Sequence, residues 1–245
     1  MEWQAWGQQL MDVLELRRAP VAITYTDEAP AGAVSGRWRM CAALQQAAQG
    51  AVIDMTAENS ACPGGSLYLG LQAQPADRQA VVQDFLIHGE KLFSCPAAIY
   101  RSTALSKVKP PFGLAPHVVF AALPQAPLPP DVAVFICNAW QGARLINLAY
   151  FETGAPMECD PTGSLCRSAV TYPLITNRVN VTFGDVTARR MERYGEDELF
   201  VSLPYSPLRS VVASLDRCSA GTAPVEIPPA MQRLMGELGG ELLDI

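Results

Sequence analysis

The sequence predicts an α/β fold at the α+β border: a single domain, spanning 1–245, with a mixed, mainly buried β-sheet flanked by helices. Three observations lead there. Residues 117–123 and 131–137 are continuous apolar runs, and a run such as Val-Ala-Val-Phe-Ile suits a strand covered on both faces. Helical patterns alternate with these runs, beginning with Trp3, Trp6, Leu10, Val13 and Leu14 on one side of a helix. No internal repeat and no long linker divides the 245 residues, and a chain of this size buries roughly 70% of its unfolded surface without needing a staple.

In chain order, the first helix should end near Arg17-Arg18, basic residues suited to a helix C-terminus, with Pro20 as its stop. A short strand at 21–25 and a Pro/Gly-containing loop at 27–36 follow. Strong helix formers at 42–48, closed by Gly50, put Cys41 near a helix N-terminus, where the dipole favours a thiolate. Residues 52–55 read as a strand; 66–71 fit a helix or a strand equally. A helix at 77–86 should turn Ala80, Val81 and Phe85 inward. Residues 93–101 are ambiguous, and the prolines of 107–116 make an extended loop.

Asn138 can cap a helix running to about 151, with Trp140, Ala143, Ile146 and Tyr150 as its apolar stripe. Residues 157–167 are loop-like, and 168–174 form a short helix broken at Pro173. Val179, Val181 and Phe183 alternate along a strand at 177–184, and a further strand covers 199–203. Ser206-Pro207 should open a helix through Leu215. The tail, 224–245, should be helical from Pro229 to Leu243.

Composition excludes several classes. A net charge of −6 argues against general nucleic-acid affinity, which needs a concentrated positive field. No apolar run reaches the roughly 18 to 20 residues of a membrane span, and 1–10 lack the basic start and apolar middle of a signal peptide. A cytoplasmic location is the expectation. There, seven cysteines in an odd, irregular set read as reduced thiols rather than a disulfide framework. Asn180-Val181-Thr182 is then an accidental glycosylation match.

The chemistry concentrates at residues 56–71. Cys62 is followed by Pro63, Gly64 and Gly65, which puts a thiol on a tight turn with little side-chain cover and exposed backbone amides. Cys41 and Cys166 also stand beside predicted helix starts. Three thiols from separate segments suit a soft metal or an iron–sulfur cluster, a four-iron, four-sulfur cluster among the candidates. Arg39, Ser60, Gly64, Gly65 and Arg167 would surround such a centre, and Asn138, Gln141 and Arg144 would sit at a strand-to-helix mouth where α/β folds often bind ligands. The competing reading is a metal-free small-molecule binding protein with its pocket at Asn138. A nucleophilic Cys62 or Cys166 would need a base, and the two histidines, His88 and His117, have poor settings for it. Cys95, Cys137, Cys159 and Cys218 read as inert. The partners expected are a small-molecule substrate or a redox partner, with neither nucleic acid nor membrane, and a homo-oligomer stays open.

Several segments match a known family in order: 16–23 (Leu-Arg-Arg-Ala-Pro-Val-Ala-Ile), Arg39-Met40-Cys41-Ala42, 59–65 with Leu69-Gly70-Leu71, Pro130-Asp131-Val132 with Asn138, Gln141, Arg144 and Leu145, Ser164-Leu165-Cys166, Asn180-Val181-Thr182 and Asp197-Glu198-Leu199. Over roughly 10–217 the chain resembles the proteins grouped as domain of unknown function 169, frequent in anaerobic bacteria and archaea. The resemblance implies that Cys41, Cys62 and Cys166 belong to family segments and the other four cysteines to this chain alone. A distribution among anaerobes is compatible with an oxygen-sensitive cluster.

Overall fold

The computed structural model describes residues 1–34, 36–104 and 108–237. Its frame is one six-stranded sheet in the order β2-β3-β1-β4-β6-β5, formed by β1 (Val21–Thr26), β2 (Ile53–Met55), β3 (His117–Ala122), β4 (Val132–Cys137), β5 (Asn180–Thr182) and β6 (Leu199–Pro204). The α/β class holds, but every ladder is antiparallel. Parallel pairing, expected within a mixed sheet, is confined to two isolated bridges, Val34 with Ile53 and Trp38 with Ser60.

The continuous apolar runs fill both faces. Val132, Val134 and Ile136 of β4 enter one core, and Ala133, Phe135 and Cys137 enter the other, because successive side chains of a strand point to opposite sides. The second core is roofed by α1 (Glu2–Leu14), α6 (Ala139–Tyr150) and α9 (Tyr205–Ala213) through Leu10, Leu14, Leu145, Leu148, Leu208 and Val211. The first core takes Met40, Cys41 and Leu44 of α2 (Met40–Ala47), Cys166, Ala169 and Val170 around the π-helical segment Arg167–Thr171, and Ala188 of α8 (Val186–Glu192).

Four expectations shift. Helix α1 ends at Leu14, where Glu15 turns left-handed (φ 52°), before the arginine pair. The 66–71 ambiguity resolves as α3 (Pro63–Tyr68). In α4 (Ala76–Asp84) no residue is buried; Val81 and the following Phe85 face solvent. Helix α6 buries Gln141, Gly142, Leu145 and Leu148 and leaves Trp140 exposed. Its phase is set by Gly142, where an added Cβ would stand 3.1 Å from Leu199, so β6 packs closely on that side.

Residues 93–101 resolve in part as α5 (Pro96–Ala104), and Pro173 lies in the first turn of α7 (Tyr172–Thr176) instead of breaking a helix. Pro204 stands at the start of α9, so Ser206 lies inside that helix. The tail helix, α10, is described over Pro229–Glu237; its expected continuation to Leu243, like Lys107, lies outside the described residues. No helix among the described residues is long and apolar enough to cross a membrane.

Candidate functional site

Cys41, Cys62 and Cys166 are drawn together by backbone and side-chain ties between their segments. Ahead of α2, the Trp38 amide donates to the Asn59 carbonyl (3.0 Å) and the Ala61 amide donates to the Trp38 carbonyl (2.8 Å). This joins the strand-like entry to Cys41 with the entry to Cys62. Gly65 brings α3 onto α2: a Cβ there would lie 3.5 Å from Met40 Cβ. At the far end of α3, Thr171 donates its hydroxyl to the Tyr68 carbonyl (2.5 Å), which ties in the segment that follows Cys166.

All three cysteines are free; Cys41 and Cys166 are buried and Cys62 is half-buried. Burial is the first cause that pushes the Cys41 thiol up to about 12, followed by the negative charges of Glu192 and Cys62, with Arg39 opposing. Cys166 is also raised, by burial and then by Cys62 and Cys41. The expectation that a helix start would lower the Cys41 value is corrected: desolvation and like charge outweigh the dipole of a short helix.

Glu192 completes the surroundings of Cys41. Its carboxylate accepts from Arg39 (2.6 Å) and from the Cys41 thiol (3.6 Å), and the Tyr194 hydroxyl donates to the Cys41 carbonyl (2.8 Å). Two further polar atoms nearby are buried without a partner, Tyr25 Oη and Trp38 Nε1. Tyr25 is raised by burial, then by Asp131 and Cys166, and both side chains pack on the core that holds Cys41 and Cys166. Sequence reading missed Glu192, Tyr25 and Tyr194. Glu192 lies in an arginine-rich run far along the chain from Cys41, and only the folded sheet brings them together. Among the described residues, no group of three or more His, Cys, Asp or Glu side chains is arranged to hold a metal ion.

Cys62 opens onto a cleft of about 210 Å³ that Ser60, Ser66, Arg37 and Arg78 also line. Gly64, whose added Cβ would stand 3.8 Å from Cys62 Sγ, is half-buried at this turn, whereas Gly65 is covered by Met40.

The remaining candidates are committed to the fold. Asn138 and Gln141 form a reciprocal capping box (2.9 and 3.0 Å), and Gln141 also donates to the Glu15 carbonyl (2.7 Å). Arg144 donates to the carbonyls of Ala220 (2.7 Å) and Gly221 (3.0 Å). Arg167 is buried against Asp160 (3.0 Å) and donates to the Ser102 and Thr162 carbonyls (2.7 and 2.9 Å). His117 is held on Asp54 (2.9 Å). Asn180 is fully buried and donates to the Ser168 carbonyl (2.6 Å), which excludes its carboxamide from modification in the folded chain.

A second, more open cleft of about 340 Å³ holds Asp84, His88, Ser94 and Cys95. Cys95, expected to be inert, is lowered by the backbone amide of Ala98 and by Ser94.

No curated protein and no solved structure matches the chain. A family model described as uncharacterised ArCR matches residues 9–214, a span that contains all three converging cysteines and the whole sheet. The chain therefore belongs to the domain-of-unknown-function 169 family.

Proposed function

We propose that the protein is a thiolate-ligated metal protein, with Cys41, Cys62 and Cys166 as ligands of an iron–sulfur cluster. The observation that carries the reading is the set of ties that joins the segments of three unbonded thiols: Trp38 with Asn59 and Ala61, Gly65 against Met40, and Thr171 on Tyr68. As thiolates without a counter-charge they would be costly to bury. A bound cation replaces their protons and removes that cost, which is the general coupling of metal binding to thiol deprotonation.

In such a cluster each cysteine sulfur would hold a different iron. The buried, unpartnered Tyr25 hydroxyl and Trp38 N–H supply donors of the kind that tune cluster sulfur. A cluster supplies one-electron transfer or, with one iron free of protein sulfur, a position for substrate. Glu192 and Arg39 would then set the charge beside Cys41. A cytoplasmic setting, where thiols stay reduced, fits the reading.

The test is purification under strict exclusion of oxygen, followed by iron and acid-labile sulfide analysis and an absorption spectrum. Brown protein with matched iron and sulfide, lost in Cys41→Ser, Cys62→Ser and Cys166→Ser, is the expected result. Colourless, iron-free protein from both native expression and chemical reconstitution would overturn it.

A further inference from the structure

We infer that the cleft beside Cys62 binds a small oxyanion, a carboxylate or a phosphate ester, through Arg37, Arg78 and Ser60. This goes beyond the metal reading and stands without it, because neither Cys41 nor Cys166 lines the cleft.

Three observations carry the inference. First, two guanidinium groups line one small cavity that no carboxylate lines, in a chain whose net charge is −6. Among the described residues neither Arg37 nor Arg78 forms an ion pair that would occupy its guanidinium group. Planar guanidinium groups match carboxylate and phosphate oxygens in pairs. Second, the Ser60 and Ser66 hydroxyl oxygens stand 2.7 Å apart, and the Ser66 hydroxyl also reaches the Cys62 carbonyl at 3.1 Å. With the Ser66 hydrogen on that carbonyl or on Ser60, the Ser60 hydroxyl can rotate its own hydrogen towards an anion in the cleft that it lines.

Third, size selects the occupant. The cavity of about 210 Å³ falls below the roughly 300–1,000 Å³ of most cofactor and drug-sized pockets. It corresponds to about seven waters of liquid volume, which suits a small metabolite or the anionic end of a larger one. Such an anion would lie against Cys62 and the turn that carries it.

Calorimetric titration at low ionic strength tests the site with two probes, succinate and inorganic phosphate, on the full chain as purified. Saturable binding of one probe is expected, and which probe binds decides between carboxylate and phosphate chemistry. Affinity should drop about tenfold or more in Arg37→Ala/Arg78→Ala and several-fold in Ser60→Ala, while Arg37→Lys/Arg78→Lys should recover part of the loss. Both arginines are exposed, so circular dichroism should show the variants folded; Ser60→Ala serves if the double variant is not. Binding of neither probe at about 10 mM, or equal binding by wild type and the alanine variants, would overturn the inference. Iron content plays no part in this readout, so failure of the metal reading would register separately.

Discussion

Arg167, next to Cys166 in the chain, is buried as the tie between Asp160, the Thr162 carbonyl and the Ser102 carbonyl. Gly163, at φ +111°, gives the guanidinium its room. Arg167→Met should therefore destabilise the fold by about 3–5 kcal/mol, because it leaves the Asp160 carboxylate half-enclosed without its partner. Urea unfolding followed by circular dichroism checks this, and the double change Arg167→Met/Asp160→Asn should recover part of the loss. Cys62 stands out in the sequence because a thiol beside Pro63 and Gly64 has few structural uses, and Cys41 and Cys166 stand out by their place beside expected helix starts. Glu192 was not, since an acid within an arginine-rich run looks like a solvated face until β6 and α8 are folded back on α2.

At the scale of elements, the apolar runs of β3 and β4 were read almost to the residue, because continuous hydrophobicity leaves a strand few alternatives. Phase was harder. In β5 both faces are used: Asn180 and Thr182 are fully buried, each hydrogen-bonded to backbone, Val179 and Val181 pack against the second core, and Phe183, beyond the strand, is exposed. A polar residue can take the inner face when its bonds are met, and sequence does not reveal whether they are. Three predictions belong here. Asn138→Ala should cost about 1 kcal/mol by removing the cap of α6, and Leu145→Ala about 2–5 kcal/mol by opening a cavity under the same helix. Val81→Ser on α4, a helix with no buried residue, should stay within about 0.5 kcal/mol. Chemical denaturation of the three variants side by side ranks them.

For the molecule as a whole, buried thiols set a pH dependence. Cys41 and Cys137 are pushed up to about 12, in each case first by burial, and Cys166 is raised too. A raised folded value means that the unfolded chain sheds these protons first. The contribution to stability is intact below the ordinary thiol value of about 9 and is lost as pH climbs from there towards 12. The urea midpoint of metal-free protein should fall between pH 8 and 10.5, and fall less in Cys137→Ala. Metal loading should release protons and strengthen with rising pH, which a weakly buffered titration with an indicator dye reads directly. Which segments carry the thiols could be seen in the sequence; that the segments meet depends on a strand order that no local pattern encodes.

That order has a consequence for how the chain is made. β1 lies between β3 and β4 in the sheet, although it is the first strand to leave the ribosome. At roughly 5–20 residues per second, its neighbours follow on the order of ten seconds later. Until then Val21, Ala22 and Ile23 have no partner to pair with. A nascent polypeptide of this design leaves that strand unpaired until β3 emerges, and truncation before residue 132 should lower the soluble yield.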